Sequence, residues 1–452
     1  MKKEELLYLY LMLFHVGIGM VIYLLPFTSK LYGYSIFILG GYYIIKTQNR
    51  NNEALMAAAY VVGSEVLLRM TGGNISYEFS KYGVMIFVFM GAYFSGFSRN
   101  AIPYWLFLLL LVPSVVLSTF VLDYDTNIRT TIAFNISGPV CLGFASLYTF
   151  RRTITLSQMN SLLLCIGLPI VSTTAYLTLY TPNIRDVITS TQSNYAASGG
   201  FGPNQVATFL GLGMFVFFSR IILESRTKFM LVLNLIIAFN ISYRGMLTFS
   251  RGGMITGFLM IVLLLGFLYL KSNFRGKVKL NYIFVMIGIA LLLIWGYTSV
   301  QTGGLINKRY ANQDSQGREK SSKFTGREDI AKSEIKMFLE HPIFGVGVAK
   351  GAEVRENEFG TFSASHDEIT RMLAEHGSFG VLALLLLLFT PLFLFLENQF
   401  NMFLLCFLTF WFLTINHAAM RTAAPAFVYA LALFNINLVQ TPTANKEERT
   451  VI

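Results

Sequence analysis

Residues 250–270 read SRGGMITGFLMIVLLLGFLYL. From Gly252 to Leu270 no charged residue occurs, and Arg251 stands at the mouth of the run. A helix needs about 20 mostly apolar residues to cross a bilayer, so this stretch reads as a membrane span. Similar runs fill the chain on either side. Spans are expected near 6–25, 31–46, 53–70, 82–97, 101–122, 132–150, 159–180, 204–222, 227–247, 252–270, 280–300, 377–396, 400–416 and 421–440. That makes fourteen, or twelve to thirteen if the shorter runs do not cross. The fold class implied is an all-α polytopic membrane protein.

Composition agrees. Of 452 residues, 54% are hydrophobic and only 13% charged, against about 25% charged in a soluble domain. Phe and Tyr raise the aromatic share to 15%, which suits interfacial belts. The net charge of +11 does not point to nucleic acid, because the basic residues fall in short clusters between apolar runs. Cys141, Cys165 and Cys406 all lie inside such runs, so a disulfide framework is not expected. The run after Met1-Lys-Lys-Glu-Glu lacks a small-residue cleavage site and reads as a first span rather than a signal peptide.

With the N-terminus inside, sixteen Lys and Arg fall in inner segments and eight in short outer ones. Cytoplasmic loops carry the basic excess, which places both termini in the cytoplasm and the long loop outside. The expected organisation is spans over 1–300, an extracytoplasmic loop over 301–376, further spans over 377–440 and a cytoplasmic tail over 441–452. No internal repeat is evident, which argues against a transporter built from two halves.

The loop carries helix signals. Thr325-Gly-Arg-Glu328 fits a capping box, followed at helical spacing by Ile330, Ala331, Ile335, Phe338 and Leu339. His341-Pro342 ends that helix, and Gly345-Val-Gly347 suits a tight turn. A second box, Ser365-His-Asp-Glu368, opens a helix with Ile369, Met372 and Leu373 on one face. Asn312 to Ser322 is polar and Gly-containing and is expected to be mobile.

Arg69, Arg185, Arg244, Arg251 and Arg421 gather at outer span ends. Any one of them fits interfacial snorkelling. Several together, on the side where cations are depleted, point to an anion site, for which the planar guanidinium fork is suited. In Ser250-Arg-Gly-Gly253 the serine can cap the helix and the glycines can let an anion approach free N–H groups, although a plain capped turn accounts for the same residues. Glu65 and Arg69, four apart within a span, are expected to pair. Asn204-Gln205, after Gly202-Pro203, can meet sugar hydroxyls or cap a helix. Of the histidines, His15 reads as packed, while His341, His376 and His417 lie at helix ends or turns. His366 stands apart at the first helical position after Ser365. A helix N-terminus disfavours imidazolium, so the ring can serve as a neutral general base; a surface histidine is the plainer reading. Asp367, Arg371 and Glu375 follow as a charge ladder. No metal motif, Cys pair or nucleotide-binding glycine pattern is present. No metal and no cofactor is expected, and energy must come from an activated substrate or an ion gradient.

At three stretches the chain resembles the O-antigen ligase and polymerase superfamily of bacterial membrane glycosyltransferases. These are Ser250-Arg-Gly-Gly253; the Gly326-Arg327 helix running into His341-Pro-Ile-Phe-Gly-Val-Gly347; and His366-Asp367 followed by Gly377-Ser-Phe-Gly380. Gly202-Pro-Asn204 also fits. The family usually has Asn, Ser or Gln after the histidine, and Asp367 departs from that. The resemblance implies a GT-C-like helical fold and metal-independent, inverting transfer of a glycan from undecaprenyl diphosphate, at the outer face of the bacterial cytoplasmic membrane. On that basis Arg251, Arg327, Arg244 and Arg421 are expected to hold the donor diphosphate, His366 to act as base, and Asn204 and Asp367 to meet sugar. The expected partners are the lipid-linked donor, lipid A-core or another glycan as acceptor, and membrane lipids. A ligase, a polymerase and a protein-glycosylating transferase all fit the family. Outside it, a lipid-linked oligosaccharide flippase and a peptidoglycan polymerase of the shape, elongation and division type are the alternatives.

Overall fold

The computed structural model describes residues 3–320, 327–359, 365–397 and 401–437, without the side chains of Arg327 and Phe359. The capping box at Thr325 and the tail over 441–452 lie outside these residues.

The fold is almost wholly helical, and every expected apolar run but 421–440 coincides with a helix. Among the described residues, nine helices are long and apolar enough to cross a membrane: Lys3–Leu24, Ile102–Val121, Ile128–Thr149, Leu156–Tyr180, Pro203–Leu223, Lys228–Leu247, Arg251–Lys271, Phe274–Gln301 and Glu368–Glu397. Thr28–Thr47, Glu53–Met70, Phe79–Ser95, Leu404–Ala418 and Ala423–Leu431 complete the bundle. The chain reads as a polytopic all-α membrane protein. Sequence fixes the helix starts locally. Thr155 and Gln158 form a reciprocal capping box, and Asn127, Thr227 and Asn273 each accept from a first-turn N–H. Prolines 113, 139, 169 and 391 lie inside helices, where neighbouring helices make them tolerable.

Contacts sort the helix ends onto two faces. Asn49 reaches Tyr148, Arg152 reaches Gly96, and Arg151 pairs with Glu397 on one face. Arg244 reaches Thr181, Glu353 reaches Thr126, and Arg69 reaches Arg421 on the other. The segments 301–320, 327–359 and 365–376 all belong to this second, loop-bearing face, with short helices at Leu305–Tyr310, Arg327–Glu340 and Lys350–Phe359.

Packing is tightest where side chains are smallest. A Cβ at Gly253 would lie 2.3 Å from the Ala207 carbonyl carbon, and one at Gly257 2.3 Å from the Gly211 oxygen. Helices Pro203–Leu223 and Arg251–Lys271 therefore touch backbone to backbone, as small residues allow in membranes.

One expectation is corrected. The run 421–440 is not one long helix. It forms Ala423–Leu431, wholly buried, and then a strand Asn435–Asn437 parallel to Thr153–Thr155. Nine residues span only about 14 Å. A helix too short for lipid is stable here because protein surrounds it: Tyr429 is bonded to Tyr104 and to the Leu387 carbonyl. The described part of Asn312–Ser322 closes a small hairpin. Gln313 pairs with Glu319, and Asp314 holds Arg318 at 2.8 Å. Helix Glu368–Glu397 breaks at Gly377, where the next span was expected to open; its φ of 59° and ψ of −138° are non-helical. Gly345 packs into that break with its own positive φ of 70°. The N–H of Val346 donates to Ala374 and that of Ser378 to Pro342. The expected turn at Gly345-Val-Gly347 is thus a backbone clasp around the kink.

Candidate active site

Helix Arg327–Glu340 is amphipathic, and Glu334 lies on its apolar stripe, four residues after Ile330 and three before the buried Met337. A buried carboxylate must be satisfied. Glu334, 1% exposed, pairs with Arg355 at 3.0 Å and accepts from the hydroxyls of Ser365 and Thr370. Burial holds its carboxyl above the usual carboxylate range, against the pull of those donors. One side chain thus ties together three pieces of the loop.

That tie corrects the second capping box. The Ser365 hydroxyl is drawn to Glu334 and to the Asp367 backbone. Asp367 caps the helix instead, accepting from the Ile369 N–H at 2.9 Å, and the helix begins at Glu368. His366 therefore sits one residue outside the cap. Burial raises the Asp367 carboxyl above its ordinary value. The ladder also differs: Arg371 pairs with Glu368 and, at 2.9 Å, with Glu375, and Asp367 takes part only through its carbonyl.

His366 and Asp367 line a cavity of ≈ 440 Å³ with Glu328, Glu334, Thr370, Asn416 and His417. A second cavity, ≈ 400 Å³, brings together Arg355, Arg371 and Arg421 with Glu353, Glu356, Glu368 and Glu375. Ser365 lines both, and Arg421 donates to its carbonyl. The arginines here are interleaved with carboxylates, which gives a wall of donors and acceptors rather than a bare positive patch.

Positive charge converges elsewhere. Arg251 donates to the Arg309 carbonyl at 3.4 Å, and Arg309 donates to the Phe249 carbonyl at 2.8 Å. Phe249 is held at a φ of 55°, a costly conformation for a bulky residue, so Arg309 braces the turn that presents Arg251. Burial lowers the pKa of Lys320, and Arg309 and Arg251 push it the same way. Arg251 lines neither cavity, but its neighbour Gly252 lies against His417, to whose ring a Cβ would come within 2.9 Å. His417 bonds Thr208 and lines the His366 cavity.

The remaining candidates separate. Arg244 is buried and directed at the Thr181 and Thr178 carbonyls at the end of helix Leu156–Tyr180, and it lines neither of the two cavities above. Asn204 accepts from Ser250 at 2.8 Å, so Ser250 does not cap its own helix with its side chain. Gly253 serves helix packing and leaves no room for an anion. The side chain of Arg327 is outside the described residues. Glu65 and Arg69 pair at 2.9 Å as expected, and His15 is packed against Tyr60. Sequence reasoning passed over Glu334, Arg355, Arg309 and Lys320. Only Glu334 carried a signal, as a carboxylate on an apolar stripe.

Residues 236–385 match the family model described as O-Antigen ligase. The matched stretch contains Arg244, Arg251, Arg327, His366 and Asp367 and excludes Asn204, His417 and Arg421. No curated protein and no solved structure matches the chain significantly.

Proposed function

We propose that the chain belongs to the O-antigen ligase superfamily, whose family model residues 236–385 match, and that it moves a glycan from undecaprenyl diphosphate to a hydroxyl of lipid A-core at the outer face of the bacterial cytoplasmic membrane. His366 takes the proton from the acceptor hydroxyl. The freed oxygen attacks the anomeric carbon, the bond from that carbon to the diphosphate oxygen breaks, and undecaprenyl diphosphate leaves from the opposite side with inversion. Arg251, with Arg309 and Lys320 beside it, and Arg327 stabilise the leaving charge. Arg421 holds the wall on which His366 sits. The reaction needs no metal in this scheme. Both termini lie in the cytoplasm, following the basic excess on their side.

The observation that carries this reading is the shared Ser365 wall between a histidine-bearing cavity and a polar cavity able to accept sugar hydroxyls. A flippase would instead concentrate its polar groups along a mid-membrane path. The test is product identification. Purified protein given lipid-linked glycan and lipid A-core should form glycosylated lipid A. Extension of one lipid-linked glycan by another would make it a polymerase of the same superfamily. No transfer to any acceptor would refute the proposal.

A further inference from the structure

Beyond the two cavities, Arg69, Asn74, Ser76, Tyr77 and Phe201 line a shallow depression of ≈ 350 Å³ on the loop-bearing face. Its floor is held in place: Gly73 donates to the Leu68 carbonyl at 2.8 Å, and a Cβ at Gly73 would meet the Ser29 hydroxyl at 2.1 Å. The Asn74 side-chain oxygen is buried and meets no hydrogen-bond donor among the described residues. A buried acceptor left open is unfavourable, and turning the amide toward the depression that Asn74 lines would let a ligand hydroxyl satisfy it. Tyr77 is 65% exposed, with the Arg69 guanidinium 5.1 Å from its ring centre.

The depression and the polar cavity share no lining residue, but two contacts join their walls. The Tyr77 ring lies 5.5 Å from that of Phe134, which lines the cavity. Arg69 donates to the backbone oxygen of Arg421, whose side chain reaches Ser365. One exposed aromatic ring, backed by a guanidinium that Glu65 already pairs, beside an amide with an unused acceptor and beyond a cavity of mixed donors and acceptors, suits a chain of sugars rather than a lipid tail or a lone phosphate.

We propose that this depression is a remote sugar subsite, binding an oligosaccharide several residues from the reacting bond. The proposal rests on the glycan-transfer reading above. The oligosaccharide belongs either to the donor chain or to the acceptor core, and the same experiment separates them. Binding is measured to purified full-length protein in detergent, with four probes: undecaprenyl diphosphate bearing one sugar, the same carrier bearing several repeats, lipid A with a truncated core, and lipid A with a complete core.

Tyr77→Leu and Asn74→Ala are expected to weaken binding of one long probe about tenfold, the scale of one lost ring contact or hydrogen bond. Their affinity for both short probes should match wild type, and Tyr77→Phe, which keeps the ring, should bind like wild type. Loss on the long carrier assigns the donor chain, and loss on the complete core assigns the acceptor. Wild-type affinity of both variants for all four probes would overturn the subsite and leave the transfer reading standing. A wild-type protein that binds none of the four would overturn both. A monodisperse elution profile guards against misfolding.

Discussion

The Arg421 guanidinium donates to the carbonyl of Ser365, 56 positions away in sequence, and Ser365 is the residue that both loop-face cavities share. A residue at the mouth of the last buried helix thereby fixes the loop segment that carries His366. Loss of this contact should affect chemistry without opening the bundle. Arg421→Ala is expected to lower glycan transfer about 10–100-fold, the scale of a charged hydrogen bond. Arg421→Lys should also be damaging, because it lacks the fork. Steady-state transfer rates measured beside thermal stability check this, and near-normal rates in both variants would contradict it.

His366→Ala should abolish transfer while donor binding persists. General-base catalysis contributes about 10²–10⁴-fold, so the loss should be of that order, with normal membrane insertion. A transfer assay paired with donor binding separates the outcomes. Retained transfer would reduce His366 to a neighbour of the cap, and loss of binding would reassign it to substrate contact.

Glu334 gives a pH test whose sign is fixed. Burial raises its carboxyl above the ordinary value, so the folded state holds the proton more tightly than the unfolded chain. Its contribution to stability is complete at acid pH and lost as pH rises through the folded-state pKa. Glu334→Gln cannot titrate. The melting temperature of wild type relative to that variant should therefore fall as pH rises above the usual carboxylate value. A relative rise would be the wrong sign. Glu334→Ala, which removes the carboxylate that Arg355, Ser365 and Thr370 share, should cost roughly 3–5 kcal/mol.

Gly253→Ala tests the backbone contact between helices Pro203–Leu223 and Arg251–Lys271. The added methyl would fall 2.3 Å from the Thr208 nitrogen. Overpacking of this kind costs about 1–3 kcal/mol, seen as a lower melting temperature and a reduced folded yield. Unchanged stability would show that the helices can part without penalty.

Orientation is tested by thiol labelling. Ser315→Cys, on the exposed hairpin turn, should react with an impermeant reagent in intact cells, and Lys277→Cys should not. The native cysteines give little background: Cys141 and Cys406 are buried, and Cys165 is partly so. The reverse pattern would invert the topology.

Apolar runs alone determined the helices, because a backbone in hydrocarbon must satisfy its own hydrogen bonds and therefore coils wherever side chains permit. That is why Gly252 to Leu270 could be read as a helix from its letters, and why the Gly345-Val-Gly347 turn and the Glu65–Arg69 pair were legible as local spacings. What composition could not give was the company each helix keeps. Ala423–Leu431 is apolar enough to seem part of a span, yet it is a short helix walled in by protein. Only the surrounding helices decide whether lipid or side chains lie beside it. The cap at Ser365 failed for the same reason. Its hydroxyl satisfies a local rule, but Glu334, 31 positions away, competes for it. Arg244 and Arg251 are alike in sequence as arginines at outer span ends. Tertiary structure turned one onto the carbonyls of a helix end and set the other beside Arg309 and Lys320. Charge and hydropathy are properties of the residue, whereas the partner that neutralises or concentrates a charge is set by which distant segments the fold brings within a few ångströms.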